Sequence, residues 1–411
     1  MGRPKPIRRK VEGLFGVPLF DMMGKKEMKH SKLEGPKQIF LPKSGVPMNY
    51  FERPAVIPVS SGHACKVGDP KQLSPPTLLL LHGFSSNAAE FCTFLRLLDV
   101  PPQVRILVPE MIGHGEDLKR AFQEGSSFQQ PSQMTMVQSM MEFLDAARVG
   151  TNCNAMGMSY GGAVVYYLRL LRPDVIRKTV LVAPCLLNCL ANDFFNGIVD
   201  GTQSFVDFQS RDDVINLFRN LCWTDPNKRK QQLLSSDADG EQARGEKKPR
   251  KDPFPKFTYE VIWRLYQRDV PKGHYKGLTK AVLGTYAKGR KEIVNGAVTP
   301  SEINDANNEN PAETYTFDND DIYTTATDLD KSSLRLVVWP KEDQICSFER
   351  GKAFFEPALN SRRTIFEPIP NCGHTFDENG TNILELLAAM PKVKLFLPGV
   401  VLFVSNNRFS L

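Results

Sequence analysis

The feature that most constrains this 411-residue chain is Gly157-Met158-Ser159-Tyr160-Gly161, read together with its flanks. Before it runs Cys153-Asn154-Ala155-Met156, small and apolar enough for a buried strand. After it, Gly162-Ala163-Val164-Val165-Tyr166-Tyr167-Leu168-Arg169-Leu170-Leu171 carries no proline and reads as a helix. A G-x-S-x-G pentapeptide alone says little, because a glycine-rich turn with an ordinary serine has the same letters. Between a strand and a helix it specifies a tight, strained turn whose flanking positions must lack side chains. Such a turn points the Ser159 hydroxyl away from the sheet, at a helix N-terminus whose dipole favours developing negative charge.

Further segments follow in a consistent alternation. Thr77-Leu78-Leu79-Leu80-Leu81 is a short apolar run ending in His82-Gly83-Phe84, a buried strand followed by a loop. Val104 to Pro109 opens Glu110-Met111-Ile112-Gly113-His114-Gly115, another strand and glycine turn. Leu334 to Trp339 is β-rich and delivers Glu342-Asp343; Thr364 to Pro370 leads into Asn371-Cys372-Gly373-His374. Ser159, then an acid, then His374 is the chain order of a nucleophile, acid and base carried on loops at the carboxyl ends of strands. For the acid, Glu342 and the stretch holding Asp318, Asp320 and Asp321 compete with Asp343. For the base, His82 and His114 compete with His374, although their glycine-rich loops suit structural roles. His30, His63 and His274 have no catalytic context and read as surface residues.

The shared phrases Leu81-His82-Gly83-Phe84-Ser85, Met158-Ser159-Tyr160-Gly161-Gly162, Val338-Trp339-Pro340-Lys341-Glu342-Asp343-Gln344 and Asn371-Cys372-Gly373-His374 carry a resemblance. The chain resembles the α/β-hydrolases, and among them the membrane-associated monoacylglycerol lipase branch, over residues 75–285 and 334–390. Asn220-Leu221-Cys222 and the helix-like segment from Phe257 to Leu283 are a weaker echo of that branch's cap. Two positions depart from the pattern: Pro340 stands where the branch usually has glycine, and Glu110-Met111 where Asp is common. The resemblance implies an α/β fold with a mostly parallel central sheet, flanking helices and an inserted, mainly helical cap. It implies catalytic roles for Ser159, Asp343 and His374, with Asp343 at the marked acid position. Backbone N–H groups of Phe84 and Tyr160 would then bind the oxyanion, each donor worth about 3–4 kcal/mol. His82, Gly83, Gly157 and Gly161 support the motifs.

Hydrophobic residues at 41% and charged residues at 24% allow a large core, and the length suits an α/β core with insertions. The net charge of +6 is modest, and no aromatic-interleaved basic stripe appears, so a nucleic-acid partner is not expected. The eight cysteines show no metal spacing, and several fall in apolar strand contexts, which reads as buried thiols in a reducing compartment. The sequon Asn379-Gly380-Thr381 has no secretory signal before it, so no use is expected for it. Neither a metal nor a cofactor is expected, because backbone donors would polarise the substrate carbonyl.

Five divisions are expected. Residues 1–36 form a basic tail (Arg3, Lys5, Arg8, Arg9, Lys10) with an apolar patch around Phe15, Leu19 and Phe20. This segment reads either as a flexible tail or as a peripheral membrane contact. Residues 37–185 are the first part of the core, its first strands lying between Gln38 and Val59. Residues 186–331 are the cap, with polar insertions near 225–256 and 299–331. Residues 332–394 complete the core. Residues 395–411 are an apolar extension, too short to span a bilayer, which needs about 20 apolar residues. The expected location is intracellular, cytoplasmic or at a membrane surface, and no particular protein partner is indicated.

Three functions remain open on this reading. The first is a serine hydrolase cleaving carboxylic esters through an acyl-enzyme, with a lipid monoester such as a monoacylglycerol favoured by the resemblance. The second is a thioesterase or C–C bond hydrolase on the same triad. The third is a non-catalytic ligand receptor on the same fold. A carboxylate nucleophile, as in epoxide hydrolases and haloalkane dehalogenases, is disfavoured because Ser159 is not one.

Overall fold

The computed structural model describes residues 27–56, 74–115, 132–191, 206–221, 256–270, 273–279, 282, 334–359, 363–377 and 381–397. Eight strands form one sheet: β1 (Glu34–Leu41), β2 (Val46–Arg53), β3 (Thr77–Leu81), β4 (Arg105–Pro109), β5 (Cys153–Met158), β6 (Ile176–Val182), β7 (Leu334–Pro340) and β8 (Thr364–Ile369). Their spatial order is β1-β2-β4-β3-β5-β6-β7-β8. β1 and β2 pair antiparallel, as do β2 and β4, and the rest of the sheet is parallel. Helices connect the strands: α1 (Cys92–Leu98), α2 (Gln133–Ala146), α3 (Tyr160–Leu171), α4 (Arg211–Leu221), α5 (Lys256–Asp269), α6 (Phe348–Leu359), α7 (Ile383–Ala389) and α8 (Pro391–Phe396).

The continuous apolar runs are explained by burial on both faces of the sheet. Along β3, Leu79 and Leu81 join the core under α2 and α3, whereas Leu78 and Leu80 join the core under α1 and α7. Val337 and Trp339 of β7 likewise face the first core, and Leu336 and Val338 the second. This two-residue alternation fixes the register, because a slip of one residue would exchange the two sets.

Two loops at the carboxyl ends of strands and a segment of the cap are tied together by buried histidines. The Met111 N–H donates to His82 Nε2 at 3.1 Å, so His82 carries its proton on Nδ1 and donates it to the Gly83 carbonyl at 2.8 Å. His274 lies in the cap and is 1% exposed, contrary to its expected place on the surface. The cap folds onto the 110–115 turn, where His274 Nε2 donates to the Gly113 carbonyl at 2.8 Å. Burial lowers the pKa of all three of His82, His114 and His274, that of His82 to about 4. His82 and His114 therefore serve the packing, and His30 is exposed as expected.

Near both ends of the described chain the elements do not follow the expected division bounds. β1 begins at Glu34, inside the segment assigned to the tail, and a helical turn over 27–30 places Met28 against the Cys92 thiol. At the other end Leu397 is buried, and its carbonyl accepts a hydrogen bond from Asn154 Nδ2 on β5 at 3.2 Å. The basic patch of residues 3–10, the insertions over 225–255 and 299–331, and residues 398–411 lie outside the described residues. Among the described residues no helix is long and apolar enough to cross a membrane.

The turn between β5 and α3 leaves no room for side chains. A Cβ on Gly161 would lie 2.2 Å from the Leu81 carbonyl oxygen and 2.4 Å from that of His82. Both obstacles are backbone, so Gly161→Ala should cost about 1–3 kcal/mol in urea unfolding; an unchanged midpoint would mean that the loop can yield. The histidines yield a second expectation. Their folded-state pKa values lie below 6.5, so the unfolded chain binds more protons as pH falls from 6.5 towards about 4, and stability is lost over that window. The His82 shift alone is worth about 3 kcal/mol. Melting temperature should fall across this range, and less steeply in His82→Asn.

Candidate active site

Ser159 stands between the end of β5 and the first residue of α3 with φ 52° and ψ −115°. Positive φ is uncommon outside glycine and costs about 1–3 kcal/mol. The surrounding backbone holds it: the Ser159 N–H donates to the Val182 carbonyl at 2.8 Å, and its own carbonyl accepts from Cys185 at 2.9 Å and Ala163 at 3.1 Å. Gly157 and Gly161 are needed for space: a Cβ on Gly157 would lie 2.2 Å from the Gly161 carbonyl oxygen.

Asp343 lies on the loop after β7. Its Oδ1 accepts the N–H groups of Ile345 and Cys346, both at 2.8 Å, and the Trp339 indole N–H closes the same loop on the Cys346 carbonyl at 2.9 Å. The other oxygen, Oδ2, is 2.7 Å from His374 Nδ1, and His374 Nε2 is 2.8 Å from Ser159 Oγ. With Asp343 accepting the Nδ1 proton, Nε2 is left to accept from the serine hydroxyl. The three side chains are buried, although 215 residues separate the serine from the histidine. Glu342 has a different place: its Oε2 accepts the Cys372 N–H at 3.1 Å, tying the acid-bearing loop to the histidine-bearing loop. Asp318, Asp320 and Asp321 lie outside the described residues, as does His63.

Phe84 and Tyr160 flank Ser159 from two directions. Tyr160 is the first residue of α3, where an N–H has no partner within the helix. The neighbouring Gly83 N–H is taken by Glu90, whose Oε2 accepts it at 2.8 Å. The Phe84 ring meets Tyr160, His114 and Tyr275 at centroid distances of 5.7, 5.3 and 5.8 Å, joining floor to cap.

A cavity of about 700 Å³ opens over Ser159 and His374. Its cap side is mostly apolar, with Val206 and Phe208, Leu217 and Phe218 of α4, and Ile262, Leu265 and Tyr266 of α5, and it carries the charged pair Arg268 and Asp269 at the end of α5. Its floor carries Ser85, Ser86, Asn87, Glu90 and Glu110. Burial pushes the Glu90 carboxyl up, against the pull of the Gly83 N–H, the Ser86 hydroxyl and His374. The sequence reading missed Glu90. Asn87, three residues earlier, caps the short 3₁₀ turn Ala88–Phe91 by accepting the Ala89 N–H at 2.9 Å. The Asn-x-x-Glu spacing marked a turn, but not the direction in which the carboxylate points.

Among the described residues, Asp343, Cys346 and His374 form the group that could hold a metal, their ligand atoms lying within 4.8 Å of one another. The carboxylate and imidazole are engaged with each other, and burial beside Cys185 and Asp343 pushes the Cys346 thiol well up, which keeps it a poor ligand. Of the described cysteines five are buried, Cys185 is half-buried, and all are free thiols.

Residues 76–235 match the family described as the alpha/beta hydrolase fold. No curated protein matches the chain by sequence. Among solved structures, it is similar to a protein of Acinetobacter baumannii AYE assigned as a lipase (lip1), at 14% identity over 92% of this chain and 97% of that one, TM-score 0.52. A membrane phospholipase A described as a bacterial virulence factor aligns at 14% identity over 87% and 84% of the two chains, TM-score 0.48. The carboxylesterase CesB (YbfK) of Bacillus subtilis aligns at 12% identity over 88% and 92%, TM-score 0.46. Strand order, helical layers and family match agree: the chain has the α/β-hydrolase fold.

Proposed function

We propose that the chain is a serine hydrolase of carboxylic esters that takes a lipid-type monoester such as a monoacylglycerol. The observation that carries this reading is the continuous path from Asp343 through His374 to Ser159, 2.7 and 2.8 Å in its two steps, opening into a cavity with an apolar cap wall. As the Ser159 oxygen attacks the ester carbonyl, His374 Nε2 takes its proton, and Asp343 stabilises the resulting imidazolium. The tetrahedral oxyanion is held by the N–H groups of Phe84 and Tyr160. Collapse breaks the bond to the leaving alkoxide, which receives the proton from His374 and departs as an alcohol. Water then repeats the sequence on the acyl-enzyme, releasing the acid and restoring Ser159. The lipid preference is supported by the cap wall, where an acyl chain would bury apolar area at about 25 cal/mol per Å², and by the motif resemblance.

Two measurements test this reading. Ser159→Ala should abolish both covalent labelling by a fluorophosphonate probe and turnover across a panel of p-nitrophenyl esters and monoacylglycerols. Full esterase activity in that variant would overturn the assignment. Asp343→Asn should lower kcat by about 10⁴, because an amide favours the wrong imidazole tautomer. Glu342→Gln should be mild, since its amide oxygen can still accept from Cys372. The opposite ranking would move the acid by one residue.

A further inference from the structure

We propose that Glu90 sets the charge selectivity of this cavity, admitting esters with neutral or cationic leaving groups and rejecting anionic ones; this rests on the ester-hydrolase reading above. The carboxylate borders the reacting atoms. A Cβ built on Gly83 would lie 3.7 Å from Ser159 Cβ and 3.8 Å from each Glu90 carboxylate oxygen. Glu90 also interacts electrostatically with His374, the group that would hand a proton to the departing alcohol.

Its position is held from two sides. The Gly83 N–H donates to it at 2.8 Å, and the Ser86 hydroxyl hydrogen-bonds it from the same loop. The residue itself sits on the Asn87-capped 3₁₀ turn, with its own N–H on the Asn87 carbonyl at 3.1 Å. A carboxylate held this way cannot swing into solvent when a substrate enters. Hydrogen-bond donation to the anion favours the charged form against the burial that opposes it.

Little among the described lining residues offsets that charge. Among the described lining residues, Arg268 is the one guanidinium and there is no lysine. Arg268 is engaged by Asp269 through two contacts of 2.6 Å, so the pair is close to neutral. Glu110 adds a second carboxyl group to the floor. A phosphate or carboxylate on the leaving group would therefore be brought near a fixed like charge in a partly desolvated cavity. At an effective dielectric of about 20, charges within about 7 Å change an equilibrium by a factor of ten or more. The same field would assist departure of the fatty-acid anion formed on deacylation. It would also make acyl carriers bearing several phosphates poor substrates, which separates this reading from thioester hydrolysis.

The test uses three esters of one acyl chain: the monoacylglycerol, the acylglycerol phosphate and the acylcholine. kcat/KM is measured for the full chain and for Glu90→Gln at mildly alkaline pH, which favours the ionised Glu90 carboxyl that burial opposes. In the unaltered protein the phosphate ester should be at least about tenfold poorer than the monoacylglycerol. In Glu90→Gln the phosphate-to-neutral ratio should rise about tenfold and the choline-to-neutral ratio should fall. Ratios are compared, so a loss common to all substrates cancels. Equal rates on the three esters by the unaltered protein would overturn the proposal whether or not the variant folds, while leaving the ester-hydrolase reading in place. So would a selectivity that Glu90→Gln leaves unmoved. Failure to cleave any of the three, together with no fluorophosphonate labelling, would remove both.

Discussion

The close approach of Gly161 to the carbonyls of Leu81 and His82 is the contact on which the rest of the site depends. It lets α3 start directly against the end of β3, so the strained serine and the 82–86 loop share one boundary. Neither can shift without the other. A residue in a sparsely populated conformation persists only where its surroundings over-determine it. Here they do so through the Val182 carbonyl on one side and the Cys185 and Ala163 N–H groups on the other. Strain in the turn and the fixed position of the 82–86 loop therefore have a single physical origin.

Much of this was legible in the residues. Buried parallel strands read as unbroken apolar runs, and Leu78 to Leu81, Leu334 to Trp339 and the segment before Ser159 each became a strand of the expected kind. The three residues expected to act together are joined through His374, which is within hydrogen-bonding distance of both Asp343 and Ser159. What was not legible depends on packing between segments remote in the chain. His274 reads as a surface residue because nothing local marks the Gly113 carbonyl as its partner. Glu342 and Asp343 carry the same chemistry side by side. Only the fold separates them, sending one carboxylate to His374 and the other to the Cys372 backbone. Glu90 belongs to the same class, since its orientation is decided by a glycine N–H seven residues away.

The cavity divides by polarity along the same line that divides the chain. Core loops line its floor with hydroxyls, amides and carboxyl groups beside Phe84 and Phe376, whereas α4, α5 and the 206–208 segment supply most of the apolar wall, with the Arg268 and Asp269 pair at the end of α5. Aromatic contacts bridge the two, Phe84 against Tyr275 at 5.8 Å and Phe218 stacked on Phe376 at 5.9 Å. The Ser159, Asp343 and His374 side chains thus stay with the sheet, and most of the apolar lining stays with the insertion.

The pairing of β6 with β7, in register from Lys178 opposite Leu334 to Val182 opposite Val338, spans everything inserted between them. Closing a loop costs entropy that grows only with the logarithm of its length, about 0.6 kcal/mol for each doubling. Once two neighbouring strands are held by backbone hydrogen bonds and by cores on both faces, the connection can lengthen at small thermodynamic cost. The acid enters the site from the far side of that connection, on the loop that directly follows β7, so its place is set by the strand pairing and not by the length of the intervening chain. A fold arranged in this way leaves the chain inserted over the cavity free to change under mutation while the side chains of Ser159, Asp343 and His374 stay in place.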